Sequence, residues 1–80
     1  MFLNELINKP FKIEGGGMTL AHDKNTGLCR IESEKISLVA PISELRVGRE
    51  PLTLFWNNES SAAFAVVIPS EIEQQLTELS

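Results

Sequence analysis

The sequence LTLFWNNESSAAFAVVIP, residues 52–69, decides the fold of this 80-residue chain. Leu52–Trp56 and Ala62–Ile68 are short apolar runs rich in aromatic and β-branched residues, a composition typical of strands. The polar residues 57–61 between them predict a turn, and Pro69 predicts the end of the sheet because proline cannot donate to a ladder. The stretch therefore predicts an antiparallel hairpin.

The residues after this hairpin predict a C-terminal helix over 70–79. Ile72, Leu76 and Leu79 follow the spacing i, i+4, i+7, which places them on one apolar stripe. Ser70 and Glu73 have the spacing of a capping box, in which the serine hydroxyl accepts a hydrogen bond from the glutamate N–H. We therefore expect a capped helix that lays its stripe on the sheet.

The residues before the hairpin predict further short strands separated by turns. The alternating segments are Phe11–Glu14, Met18–His22, Leu28–Ser33, Ile36–Ala40 and Leu45–Val47. Residues 1–10 predict a short helical segment, because Phe2, Leu3, Leu6 and Ile7 share one helical stripe. The predicted class is mainly β within one small domain over 1–80. Six or seven antiparallel strands over 11–68 form a meander or partly closed barrel, which the C-terminal helix caps.

Composition and charge favour some classes of protein over others. The hydrophobic fraction of 42% is typical of a folded chain, and a single cysteine excludes an internal disulfide framework. The formal net charge is −4, and residues 59–80 contain glutamates but no lysine or arginine. Nucleic acids and anionic membranes attract clustered basic residues, so we expect neither as a partner. A cytoplasmic location is the expectation, because no secretory signal or long apolar run is present.

Cys29 and His22 form the one pair with possible nucleophilic chemistry. If residues 24–27 form the turn, His22 faces Cys29 across the hairpin, and a thiol beside an imidazole is the minimum for a catalytic dyad. A three-residue turn would shift the register and separate them. No orienting third group is evident, and two ligands are too few for zinc. We expect a buried thiol and a surface histidine, and no cofactor or metal.

Other reactive patterns are weaker still. Gly15–Gly17 lacks the helix and the Lys-Ser or Lys-Thr pair that a phosphate loop needs, so we expect a flexible joint before the next strand. Glu32 and Glu34 fall in a predicted turn, and Glu71 and Glu73 fall at the helix start. Since catalytic carboxylates must flank a pocket, these are expected to be solvated, and the chain is expected not to be an enzyme.

The hairpin of the opening stretch carries the best signal for an interface. Successive strand residues point to opposite faces, so Leu52, Leu54 and Trp56 share one face and Phe55 lies on the other. Both faces of the second strand are apolar as well, and one helix cannot cover all of this surface. The residues predicted to bind a protein partner or a second copy are Phe55, Trp56, Ala63, Ala65 and Val67. Packing within a single chain is the alternative.

Four features follow one another in the chain: a strand at Leu28–Ser33, the segment Lys35–Ala40, the Pro-Ile-Ser-Glu-Leu step at 41–45, and the final hairpin and helix. This order resembles that of pleckstrin-homology-like domains. These include the GRAM and bacterial types, and the resemblance covers about residues 14–79. It implies a bent antiparallel barrel plugged by the C-terminal helix. It also implies binding of proteins, peptides or phosphoinositides.

Three functions follow, in order of preference. The first is a non-enzymatic protein-interaction module that binds a partner or forms a homo-oligomer. The second is a lipid- or ligand-binding module that uses Lys9, Lys12 and Lys24 near the early loops. The third is a cysteine-dependent enzyme or redox protein that uses Cys29 and His22.

Overall fold

The computed structural model describes residues 1–57 and 63–80. Its elements are α1 (Leu3–Leu6), β1 (Phe11–Gly15), β2 (Met18–Asp23), β3 (Leu28–Ser33), β4 (Ser37–Pro41), a 3₁₀ turn (Ile42–Glu44), β5 (Arg46–Gly48), β6 (Thr53–Trp56), β7 (Phe64–Val67) and α2 (Ser70–Leu79). These strands and helices confirm the predicted mainly β class, with seven strands in the described residues. Most of the turn predicted at 57–61, together with Ala62, lies outside the described residues.

The strands form two antiparallel sheets and not a closed barrel. One sheet has the order β1-β2-β3-β4 and the other the order β5-β6-β7. The predicted meander is interrupted after β4, where Pro41 ends the strand and the 3₁₀ turn Ile42–Glu44 redirects the chain. Pro41 pairs with Leu28, and the Ile42 N–H still donates to the Gly27 carbonyl over 2.9 Å, so the β3–β4 ladder runs to the start of this turn. The nitrogen of Pro41 faces away from β3, and without an N–H it offers no donor to a further strand on that side. The mainly antiparallel class is thus confirmed, whereas the partly closed barrel is not: the strands form two sheets and no closed barrel.

The N-terminal segment borders the second sheet beside β5. The Leu3 N–H donates to the Leu45 carbonyl and the Val47 N–H donates to the Met1 carbonyl, each over 2.8 Å. The guanidinium of Arg46 lies 4.9 Å from the centre of the Phe2 ring. A helix as short as α1 is not stable alone, so these contacts hold it in place.

Both sheets bury one face in a shared core. Along β1, for example, Phe11 and Ile13 are buried while Lys12 and Glu14 are exposed. Each fully buried Leu or Ile contributes about 1.5–3 kcal/mol relative to its exposed state. The buried core residues are Leu3, Ile7, Phe11, Ile13, Leu20, Cys29, Ile31, Ala40, Ile42, Leu45, Leu52, Leu54, Ile68, Ile72 and Leu76.

Helix α2 packs on β1 as its apolar stripe predicts. Ile72 and Leu76 are buried, and the Gln75 side-chain amide donates to the Glu14 carbonyl over 2.8 Å. The predicted capping box is wrong. Ser70 is already helical, and the carbonyl of Pro69 accepts from the N–H groups of Ile72 and Glu73 over 3.0 Å. The backbone carbonyl of proline thus takes the place that the sequence assigned to serine.

The glycine run is a tight turn and not the flexible joint that the sequence predicted. Gly15 pairs with Met18, so Gly16 and Gly17 alone connect β1 to β2. Their φ angles are +58° and +80°, which side-chain-bearing residues rarely adopt. Gly16 also lies against the C-terminal segment, because a Cβ on it would come within 2.5 Å of the Pro69 Cβ. The turn is therefore fixed by both backbone conformation and packing.

Alanine substitutions in this turn separate the two constraints. We expect Gly17→Ala to lower the free energy of unfolding by about 1 kcal/mol, because only backbone strain is added and the site faces open space. Gly16→Ala adds the same strain plus the clash with Pro69, so we expect a loss of about 2–4 kcal/mol. Urea unfolding followed by circular dichroism measures both. Equal losses would show that Gly16 is not packed against Pro69.

Candidate functional site

The outer face of the β5–β6–β7 sheet is apolar at its centre. Leu54 is buried in the core, so its neighbours Thr53 and Phe55 project from the opposite face. In the β6–β7 register Phe55 pairs with Ala65 and Thr53 pairs with Val67. Directly paired side chains lie about 4.5–5.5 Å apart and on the same face. Phe55, Ala65 and Val67 therefore form one patch, which we call the apolar strip.

The apolar strip is open to solvent. Val67 is 59% exposed, Ala65 is exposed and Phe55 is half-buried. Phe55 lies over Gly48 on the neighbouring strand, where a Cβ would come within 3.4 Å of its ring. The edge of the ring therefore lies close to the backbone of β5. Phe55 is positioned by its own sheet, while Ala65 and Val67 offer free surface.

Trp56 lies on the other side of the same strand. Its ring packs against Phe64, with centres 5.9 Å apart, and its indole N–H donates to the Glu44 carboxylate over 3.3 Å. Trp56 is half-buried and packs against the core cluster. The faces predicted for Phe55 and Trp56 are thus as observed. Trp56 therefore projects from the opposite face of β6 to the apolar strip.

The last residues of β6 and the first of β7, next to the connecting residues 58–62, bring the two sides together. Ala63 precedes β7, is exposed, and continues the alternation that places Ala65 and Val67 outward. A broad, shallow depression of about 550 Å³ is lined by Phe55, Trp56, Asn57, Ala63, Phe64 and Ala65. Four of the five residues predicted for an interface border this one depression, and Val67 lies beyond it on the strip. Whether they bind a partner stays a prediction.

Replacing Trp56 separates a packing role from a binding role. Because its ring contacts Phe64 and the core from the inner side, we expect Trp56→Ala to lower the free energy of unfolding by about 2–3 kcal/mol. Trp56→Phe keeps most of that packing and serves as the matched control. Thermal unfolding measures both. Unchanged stability in the alanine variant would show that Trp56 does not belong to the inner packing.

The free edge of β7 adds backbone groups that sequence patterning did not reveal. The Ile68 N–H donates to the Leu52 carbonyl over 2.8 Å, which fixes the hydrogen-bonding phase of the β6–β7 ladder. In an antiparallel ladder such pairs alternate, so the N–H and C=O groups of Ala65 and Val67 point away from β6. Within residues 1–57 and 63–80, no backbone group on that side bonds to them. As far as the described residues show, the strip therefore ends at a strand edge with no neighbouring strand.

Cys29 and His22 are cross-strand neighbours, as the longer turn predicts. Cys29 is fully buried, and this burial raises the pKa of its thiol from 9.0 to about 12. With this pKa, only about 10⁻⁵ of the Cys29 thiol is ionised at pH 7. Because the thiolate and not the thiol is the nucleophile, the side chain is unreactive in this state. His22 is half-buried, its Nδ1–H donates to the Lys9 carbonyl over 3.2 Å, and its ring meets Phe11 edge-on at 5.8 Å. This environment disfavours a reactive thiol.

Thiol labelling tests this description of Cys29. We expect a neutral alkylating reagent at pH 7.5 to label the native chain at least 100-fold more slowly than free cysteine, because the thiol is buried and protonated. In 6 M guanidinium the two rates should become equal. Native labelling as fast as that of free cysteine would contradict the buried position and restore the dyad hypothesis.

Two pairs of opposite charges lie on the solvated surface of the first sheet. Lys12 lies 4.0 Å from Glu14, and Arg30 lies 3.4 Å from Glu32, on the outer face of the first sheet. The described residues contain no group of three or more His, Cys, Asp or Glu side chains placed to hold a metal ion. The β1–β2 turn consists of glycines, so it offers no basic side chain to a phosphate.

Comparison of the chain with protein-family models, with curated proteins and with solved structures finds no match. In the part of the chain that the structure describes, no helix has the length and apolarity needed to cross a membrane. The apolar strip with its free edge is accordingly the strongest candidate site, on the evidence of its own residues.

Proposed function

We propose that this chain is a small, non-enzymatic protein-interaction module that binds its partner through the apolar strip and the edge of β7. One observation carries the proposal: Ala65 and Val67 combine outward-facing apolar side chains with backbone groups that lack a partner among the described residues. Edge strands are often protected from pairing by a charge, a proline or a bulge, and the β7 sequence FAVV carries none of these. Its length of four residues limits an added strand to the ladder positions of Ala65 and Val67.

The occupant that this geometry fits best is an extended segment of a protein. An added strand forms hydrogen bonds with the free N–H and C=O groups of Ala65 and Val67, and its alternate side chains continue the apolar strip. Small residues allow the incoming backbone to approach closely, and Phe55 supplies a preorganised apolar surface beside it. The proposed binding mode is therefore strand addition.

The overall charge of the chain favours a partner with basic residues: its formal net charge is −4, although Arg46 pairs with Phe55 beside the apolar strip. Glu71, Glu73 and Glu78 are exposed on α2, which directly follows β7, and the described residues from 63 onward contain no lysine or arginine. An acidic surface steers a basic segment towards it and repels an acidic one. An extended apolar segment flanked by lysine or arginine is thus the expected ligand, and a second copy of this acidic chain is the less favoured one.

Two weaker proposals accompany this one. The relationship to pleckstrin-homology-like domains is supported by the succession of seven antiparallel strands and a C-terminal helix. A cytoplasmic setting fits a module that binds proteins. The lipid-binding alternative gains less support, because the β1–β2 turn has no basic side chain.

A photo-crosslinking amino acid at position 67 tests the proposed site in cells. We expect one discrete adduct from position 67, because its side chain projects from the strip, and none from the control at Lys24 on the β2–β3 turn. The crosslinked protein is then purified and its affinity measured by calorimetry. Equal adducts from both positions would indicate chance encounters and contradict the proposal.

Substitution of Val67 provides the quantitative test. Val67 is 59% exposed, so Val67→Lys should leave the free energy of unfolding within about 0.5 kcal/mol. It should weaken binding of the identified partner at least tenfold, because a buried, unpaired ammonium is costly in an apolar contact. Lys24→Ala is the matched control and should change nothing. Unchanged affinity in the Val67 variant would overturn the proposal.

A further inference from the structure

The outer face of the β1–β4 sheet carries an ordered pattern of charges that the proposed function does not use. The residues of this surface, which we call the charged face, are Lys12, Glu14, Thr19, Ala21, Arg30 and Glu32. They line a shallow hollow of about 440 Å³. All four charged side chains are well exposed, the least so being Glu32 at 45% of its side chain.

The strand register arranges these charges in two rows. Ala21 pairs with both Lys12 and Arg30, which gives a row with two cations. Thr19 pairs with both Glu14 and Glu32, which gives a row with two anions. The rows lie two residues apart along the strands, about 6.8 Å. The charged face therefore has a positive row and a negative row on either side of a central line.

We infer that the charged face is a docking surface for a second copy of this chain. The two copies are related by a two-fold axis that lies in the interface, midway between the two rows and perpendicular to the strands. Rotation about this axis places the positive row of each copy over the negative row of the other. Lys12 then faces Glu14 of the second copy, and Arg30 faces its Glu32. The symmetry repeats both contacts, so four ion pairs form in one isologous interface.

The shapes of the central residues permit this approach. Ala21 and Thr19 lie at the middle of the face, where long side chains would hold the two sheets apart. Face-to-face sheets lie about 10 Å apart, and the aliphatic stems of Lys12 and Arg30 can cover the small residues while their charged ends reach across. Val39 pairs with Arg30 and is 41% exposed, which adds apolar surface at the margin.

Charge balance singles out this face for self-association. The whole chain has a formal net charge of −4, so two copies repel each other in most orientations. The charged face carries two cations and two anions and is neutral. Acidic α2, by contrast, would face another acidic helix in a dimer built on its exposed side. The neutral and self-complementary surface is where two copies can meet without repulsion.

The dimer should be weak and sensitive to salt. The sheet is four strands wide at about 4.8 Å per strand and about five residues long at about 3.4 Å per residue. Its outer face therefore has an area on the order of 300 Å² per copy. This is below the roughly 800 Å² per partner of a standard stable interface. Its cohesion comes from exposed ion pairs, which salt screens. Exposed ion pairs contribute up to about 1 kcal/mol each, so we expect a dissociation constant of about 0.2–1 mM at 20 mM salt and at least tenfold weaker association at 500 mM.

Complementary charge-reversed variants test the inference by sedimentation equilibrium at 20 mM salt. An acidic-face variant carries Lys12→Glu and Arg30→Glu, and a basic-face variant carries Glu14→Lys and Glu32→Lys. Each should be monomeric alone, because like charges then face each other, and an equimolar mixture should form a heterodimer. The control variant carries Lys24→Glu and Arg49→Glu. These substitutions change the net charge by the same amount as those of the acidic-face variant but lie outside the charged face, so the control should still dimerise.

The outcomes also separate this inference from the proposed function. Circular dichroism confirms that each variant is folded before its mass is measured. Wild-type chain that stays monomeric at 500 μM in 20 mM salt, or a mixture that forms no heterodimer, would overturn the inference. The inference would also be overturned if Val67→Lys abolished the dimer and the acidic-face variant still dimerised, because the copies would then associate through the apolar strip. A dimer unaffected by Val67→Lys supports the charged face and leaves the proposed function to its own test.

Discussion

The alternation of side chains along seven short strands is the constraint on which the structure depends. Each strand places every second residue in one shared core, and the chain is too short to build a further layer over the outer faces of its sheets. With a single, buried cysteine and no disulfide, this core supplies the cohesion. A slip of one residue in any ladder would turn Leu20, Ile31 or Leu54 to solvent, so burial fixes the register.

The same constraint gives the molecule two outer faces of different chemistry. The first sheet presents balanced charges around Ala21 and Thr19, and the second presents Phe55, Ala65 and Val67, with Arg46 beside Phe55 at the β5 margin. Charged pairs tolerate water, whereas an apolar strip beside an open strand edge gains free energy when it is covered. The two faces are thus suited to different contacts: one weak and sensitive to salt, the other apolar and strand-like.

Much of the fold follows from the sequence, because period-two alternation is strong in β1, β3 and β6. The register of His22 opposite Cys29 also follows, once the turn is taken as residues 24–27. The break after β4 does not follow, since separation into two sheets depends on how the whole core packs. The role of the Pro69 carbonyl at the start of α2 was missed for a related reason. The spacing of Ser70 and Glu73 matches a capping box, but spacing alone does not show which residue is the N-cap. In the structure the N-cap is Pro69, one residue before Ser70.

The site was only partly predictable. The outward direction of Phe55, Ala65 and Val67 follows from alternation, but the packing of Phe55 over Gly48 depends on the approach of β5. Trp56 ranked as an anchor because tryptophan is common at binding hot spots, yet its contacts with Phe64 and Glu44 lie on the inner side. The open edge of β7 is invisible in sequence, since it depends on which strands lack a neighbour.

Amide hydrogen exchange along β7 tests most directly whether this edge is open. At a dilute concentration where the chain is monomeric, the Val66 N–H should be protected, because its ladder position faces β6. The N–H groups of Ala65 and Val67 point away from β6 and should exchange at least 100-fold faster. Protection of Ala65 and Val67 equal to that of Val66 would show that the edge is sealed within a single molecule and would contradict the proposed binding surface.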